Sequence, residues 1–247
     1  MRVHDTFVAL LGVWLILLVM GPTSAVDVAS HPHEFCYSYD ECSPISEQWA
    51  DTCKTGKKQS PIDLKATWTN HSTGLTKTKY RLSNAHFHWG KTDSDGSEHA
   101  LEGKRFAMEM HLVHYNEKYG SAAKAIKSGD ADALSVIGIF FNAAPILKGI
   151  ASIKDVHSYW VKVEEPIDMM PLLPHRGDPI FHYKGSLTTP TCNEQVNWYV
   201  FKTPITVSPS DVNAFRSLVD GHNRTLIENH RPVQSLGSRD VKMLKVH

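Results

Sequence analysis

Between residues 80 and 201 the chain is dominated by short apolar runs and alternations broken by turn formers. Ala85–Trp89, Phe106–Tyr115, Leu134–Phe141 and Gln195–Phe201 favour β structure, and clusters such as Lys91-Thr-Asp-Ser-Asp-Gly96 bound them. Helical patterns are few and short: Ser121–Lys127, Ile146–Val156, and Ser208–Asp220, where Ser208 or Ser210 can cap the first turn. No internal repeat, charge block or low-complexity stretch divides the chain. The pattern predicts one mixed α/β domain dominated by β, with short helices at its periphery. The N-terminus departs from it. Phe7–Met20 is apolar throughout except for Gly12, follows Arg2, and leads into the small residues Gly21–Ala25. Residues 1–25 therefore read as a secretory signal peptide, since a bilayer span needs about 20 apolar residues. Val26–Lys58 is polar and rich in turn formers, and it reads as a disulfide-fastened arm of the domain that fills residues 26–247.

Composition narrows the function. Lys and Arg number 26, as do Asp and Glu, so the formal net charge is zero and no basic excess exists to bind nucleic acid. Past the signal peptide no segment is apolar enough to span a membrane, and the C-terminus Val241–His247 shows no lipid-anchor signal. The expectation is a monomer, secreted or at the extracellular surface. The cysteines agree: Cys36, Cys42, Cys53 and Cys192 are an even set, with three possible pairings in an exported protein. A local Cys36–Cys42 clip would leave Cys53 with Cys192. Asn70 and Asn223 open glycosylation sequons.

The 15 histidines are the compositional oddity, and some of them are patterned. In His86-Phe-His88 the two rings share a face only on a strand, where residues i and i+2 point the same way. In Met108-Glu-Met-His-Leu-Val-His-Tyr115, read as a strand, Glu109, His111 and Val113 share one face and His114 lies on the other, as a structural histidine. An antiparallel return would set His111 beside His86 and His88. Three imidazoles leave a fourth position open, which suits a catalytic Zn2+. Glu109 is placed to accept the free N–H of a ligand ring. In the loop Tyr183–Cys192, a Thr hydroxyl beside such a site could accept from a hydroxide, donate to a buried carboxylate and so aim a lone pair.

These residues sit in a longer series: Gln59–Leu64, His86–Gly90, Gly96-Ser-Glu-His99, Met108–His114, Leu134–Phe140, Gly185-Ser-Leu-Thr-Thr-Pro190 and Asn229-His-Arg-Pro232. In kind and order they resemble the alpha-class carbonic anhydrases, and the cysteine pattern is most similar to the extracellular, membrane-associated type IV members. The resemblance implies a large, twisted, mostly antiparallel sheet and a zinc enzyme that hydrates carbon dioxide to bicarbonate. It implies His86, His88 and His111 as zinc ligands, Thr188 as the hydroxide-orienting residue and Glu98 as its carboxylate partner. Val113, Val136, Leu187, Val196 and Trp198 would line the carbon dioxide pocket, with Thr189 at its border. Glu109 and Asn229 would hydrogen-bond the ligand rings, and Tyr37 would sit near the solvent network. Cys53 would bond Cys192, tying the arm to the Thr-bearing loop.

Two departures stand out. Only 24 residues separate Pro61 from His86, where the resemblance implies several more strands, so relative to that family the stretch between about 65 and 79 is expected to be shortened by roughly forty residues, some four strands with their turns. The segment that carries the usual proton-shuttle histidine falls in the missing part, and so does a sheet neighbour of the His86/His88 strand. Asn84 stands where family members usually carry Gln. The sequence therefore supports an active enzyme and, as the alternative, a weak or silent relative or splice variant.

Overall fold

The computed structural model describes residues 49–65, 78–144, 172–173, 175, 177–219 and 225–245. The expected signal peptide, Tyr37, Cys36, Cys42, the sequons at Asn70 and Asn223, most of the stretch expected to be shortened and the Ile146–Val156 helical pattern lie outside the described residues.

In chain order the elements are α1 (Asp51–Thr55), β1 (Asp63–Leu64), β2 (Tyr80–Trp89), β3 (Ala100–Leu101), β4 (Met108–Asn116), α2 (Ala122–Ser128) and β5 (Leu134–Ala143). They continue with β6 (Pro179–Gly185), β7 (Val196–Phe201), β8 (Ile205–Val207), α3 (Pro209–Arg216) and β9 (Lys242–Lys245). Seven strands form one sheet in the order β2-β4-β5-β7-β6-β9, with β8 beside β5. Pairing is antiparallel except at β5–β7 and β5–β8, and β1 and β3 form a separate parallel pair. The expected sheet-dominated fold with small helices is the fold observed.

The centre of the sheet is buried on both faces, so β4 and β5 are almost wholly buried. Alternation still sorts their residues. Val113, Val136, Phe140 and Trp198 pack on one face with Phe181 and Tyr183. Met110, Leu112, Ile137, Ile139 and Phe141 pack on the other, under Val212 and Phe215 of α3. Among the described residues, β2 is the outermost strand of the sheet, beside β4.

Helix ends follow their sequence signals. The Ser208 hydroxyl accepts from Asp211 N–H (3.1 Å), and Pro209 opens α3, which fixes Ser208 over Ser210 as the cap. α3 stops at Arg216, short of the expected Asp220, where Arg216 turns to donate to the Gly90 carbonyl and to Asp93. Ser121 caps α2, and Gly129 ends it with φ 73°, a conformation that favours glycine. β2 begins at Tyr80, earlier than the expected Ala85, because its first half pairs through to Asn116 of β4. The arm is less irregular than its composition suggests: α1 carries Cys53 into a buried cluster with Trp49 and Cys192.

His114 lies on the face of β4 opposite His111 and is buried, with no partner for Nδ1 among the described residues. Burial pushes its pKa down to about 4 from the usual 6.5. The unfolded chain thus takes up this proton before the folded chain does. Stability from this site is intact above pH 6.5 and is lost as pH falls towards 4, by about 3 kcal/mol at the lower limit. Denaturant midpoints for His114→Leu should change less between pH 7 and pH 4 than those of the unaltered protein. An equal slope in both would remove His114 as a source of acid sensitivity.

Candidate metal centre

The register of β2 on β4 builds the centre. His86 lies directly opposite His111, and His88 lies opposite Glu109, so the strand period brings the three rings to one face. Ring centroids are 5.1 Å apart for His86–His88, 5.2 Å for His86–His111 and 4.5 Å for His88–His111. His88 and His111 are buried, while His86 keeps partial exposure on the outer strand. Burial, followed by the neighbouring imidazoles, holds the pKa of His86 and of His88 well below the ordinary value, so both are neutral.

Each ring spends one nitrogen on a fixed acceptor. His86 Nδ1 donates to Asn84 Oδ1 (2.9 Å), His88 Nδ1 to the Asn229 carbonyl (2.8 Å), and His111 Nε2 to Glu109 Oε1 (2.8 Å). These acceptors assign the tautomers and leave His86 Nε2, His88 Nε2 and His111 Nδ1 with lone pairs turned inward. The shortest gap, His88 Nε2 to His111 Nδ1, is 3.1 Å. A cation seated between these two nitrogens would accept both lone pairs. Two Zn–N bonds of about 2.0–2.1 Å at a tetrahedral angle span roughly 3.3 Å, so the donor set fits zinc in both chemistry and spacing. His99, Glu109 and His111 also lie close enough to suggest a second ion. Their facing atoms are already hydrogen-bonded to one another, so they serve the first centre.

Glu109 is wholly buried. Burial pushes its pKa up, but His99 and His111 outweigh this and hold it well below the usual carboxylate range. Its Oε1 accepts from His111 and from His99 Nδ1 (2.7 Å), and Oε2 accepts from the His99 backbone N–H (2.8 Å). His99 Nε2 then accepts from the Tyr183 hydroxyl (2.6 Å), which accepts from Ser60 Oγ (2.9 Å), and Ser60 Oγ accepts from Ser186 N–H (3.1 Å). One hydrogen-bond line therefore runs from a candidate ligand to the loop that carries Thr188. Ser60, His99 and Tyr183 carry no role that the sequence alone predicts. Each stands in or beside a matching motif, but no local pattern shows that the three meet.

Glu98 is the second carboxylate buried at the centre. Burial raises its pKa, against His111, the Arg231 N–H and the Thr188 hydroxyl, which lower it. Oε1 accepts from Arg231 N–H (2.8 Å). Oε2 has no hydrogen-bond partner among the described residues and lies 3.5 Å from His88 Nε2 and 3.9 Å from His111 Nδ1. This orphaned oxygen faces the inward lone pairs. Thr188 is buried beside Glu98, and Val113, Val136, Val196 and Trp198 form one apolar cluster against which Leu187 packs. Trp198 meets His111 edge-on at 4.8 Å and donates from Nε1 to the Ser186 carbonyl. The Thr189 carbonyl accepts from Cys192 N–H, and Cys192 is bonded to Cys53. Asn229 clasps the end of β2 at Phe87 O, Trp89 N and Trp89 O.

Residues 66–245 match the eukaryotic-type carbonic anhydrase family. Mitochondrial carbonic anhydrase 5A of Rattus norvegicus is 38% identical over 181 residues, 69% of this chain and 59% of its own length. A putative carbonic anhydrase 3 of Caenorhabditis elegans is 34% identical over 167 residues, 66% of this chain and 63% of its own. Carbonic anhydrase 1 of Oryctolagus cuniculus is 31% identical over 236 residues, 76% of this chain and 99% of its own. The chain thus spans about three fifths of the first two relatives.

Proposed function

We propose that this chain, which belongs to the eukaryotic-type carbonic anhydrase family, binds zinc through His86, His88 and His111 and reversibly hydrates carbon dioxide to bicarbonate and a proton. The observation that carries this reading is the trio of inward lone pairs, each fixed by a hydrogen bond from the opposite ring nitrogen. Zinc supplies Lewis acidity when bound, a property that in carbonic anhydrases brings the pKa of a ligated water to about 7. The protein's own residues do the rest. Glu98 takes the Thr188 hydroxyl proton in a hydrogen bond, so that Thr188 Oγ1 is left to accept from the attacking nucleophile and orient it. Val113, Val136, Leu187, Val196 and Trp198 offer an uncharged substrate an apolar wall, with Thr189 at its border. Glu109 and Asn229 hold ring orientation.

Proton export is the slow step in this reading, because the shortened stretch before β2 lacks the segment in which relatives place their shuttle. A positioned proton-transfer group contributes about 10²–10⁴-fold, so a diffusing imidazole-type buffer should recover part of it, raising turnover about tenfold. The buffer-independent exchange between carbon dioxide and bicarbonate should hardly change. Turnover against buffer concentration, with zinc content measured on the same sample, is the test. High turnover already at low buffer would refute the account of the shortened stretch. Absence of both zinc and turnover would favour a silent relative.

We further read the chain as an exported protein allied to the type IV enzymes, with an N-terminal signal peptide. The Cys53–Cys192 bond supports export, since such bonds persist in oxidising compartments.

A further inference from the structure

Arg231 is buried in a segment without regular structure, and its two ends do different things. The guanidinium is committed to the end of the N-terminal arm and the residues that follow it. Nη1 donates to Gln59 Oε1 (3.0 Å) and the Ser60 carbonyl (2.7 Å), Nη2 donates to the Cys53 carbonyl (2.9 Å), and the group lies 5.3 Å from the centre of the Trp49 ring. The backbone N–H points the other way and donates to Glu98 Oε1 at 2.8 Å. A carboxylate held at one oxygen has the direction of its second oxygen set by that contact, and Glu98 Oε2 is the oxygen turned towards His88 and His111.

We propose that Arg231 is a positioning residue for Glu98: its side chain, locked onto the end of the N-terminal arm and the residues that follow it, fixes the backbone N–H that aims the carboxylate. The proposal rests on the reading of Glu98 as the partner of Thr188. Burying a guanidinium is costly, and a chain that needed only to pack here could use an apolar side chain. The planar fork instead spans three acceptors from three residues, which a lysine ammonium cannot match in geometry. Asn229, two residues earlier, is anchored separately through its N–H to the Trp89 carbonyl (3.0 Å), so the neighbouring chain has its own hold on the ligand-bearing strand.

That separation makes the idea testable. Amide hydrogen exchange at positions 229 and 231 should be measured for the unaltered protein, Arg231→Met and Arg231→Lys, together with zinc content, kcat and KM. In Arg231→Met, exchange at position 231 should accelerate by about tenfold or more while position 229 stays protected, since only the local opening becomes easier. Zinc should remain near one per chain. Loss of one charge-assisted contact should lower kcat by about tenfold with KM within about twofold. Arg231→Lys should recover part of both losses, and it carries the test if Arg231→Met does not fold. Unchanged exchange at position 231, or equal loss of protection at 229 and 231, would overturn the proposal, the latter by showing a general structural role. Failure of the enzymatic reading would appear separately, as absent zinc and activity in the unaltered protein, while the exchange data would still judge Arg231.

Discussion

Replacing His88 or His111 with Ala should abolish stoichiometric zinc and carbon dioxide hydration together. Among the described residues, three imidazoles turn lone pairs into the centre and none is spare. Removing even a hydrogen-bond partner of a metal ligand costs about 10–100-fold in affinity, and removing the ligand itself should cost more. The two substitutions should differ in stability. His111→Ala also strips Glu109 of one of its donors and leaves a buried carboxylate partly unsatisfied, a cost of about 1–3 kcal/mol or more. His88→Ala leaves behind the Asn229 carbonyl, a neutral acceptor with less to lose. Zinc per chain after dialysis and the initial hydration rate decide the question. One tightly held zinc in both variants would remove these residues from the centre.

Cys53→Ala with Cys192→Ala should give the largest loss of stability. The bond closes a separation of 139 residues, for which the chain-entropy account gives up to about 5 kcal/mol. That is a large share of the roughly 5–15 kcal/mol by which domains are stable. Function should also suffer, because Cys192 N–H holds the Thr189 carbonyl next to Thr188, and Gln59 donates to the Cys192 carbonyl. Denaturant midpoints of the double variant and the disulfide-bonded protein test this. A difference below about 1 kcal/mol would show that the bond constrains little that the unfolded chain does not already restrict.

What the sequence made legible was local and periodic. The His-Phe-His spacing and the alternation around His111 predict strands whose register brings the rings together, because a strand's side-chain period is fixed. Ser208 was readable as one of two candidate caps for a similarly local reason. The short strands Pro179–Gly185 and Lys242–Lys245 were not, since they owe their form to neighbours far along the chain. The same holds for the line from Glu109 through His99 and Tyr183 to Ser60, where every link joins residues that only the folded sheet brings into range. Arg231 was hidden in the same way: a lone Arg in a loop carries no periodic signal, and its acceptors lie more than 170 positions earlier.

The outer place of β2 gives the centre an unequal architecture. Among the described strands, two of the three candidate ligands ride on the ribbon at the sheet's margin, and the third is set in a strand flanked on both sides. Margins fray before centres, because fewer bonds must open at once. A single peeling event at β2 therefore withdraws His86 and His88 as a pair, whereas His111 leaves only when the middle of the sheet comes apart. Asn229 is the latch on that ribbon, gripping Phe87 and Trp89 through one side chain and one peptide unit. How long the centre stays assembled thus depends on the ladder of β2 on β4 and on that loop's grip on Phe87 and Trp89, more than on the stability of the domain as a whole.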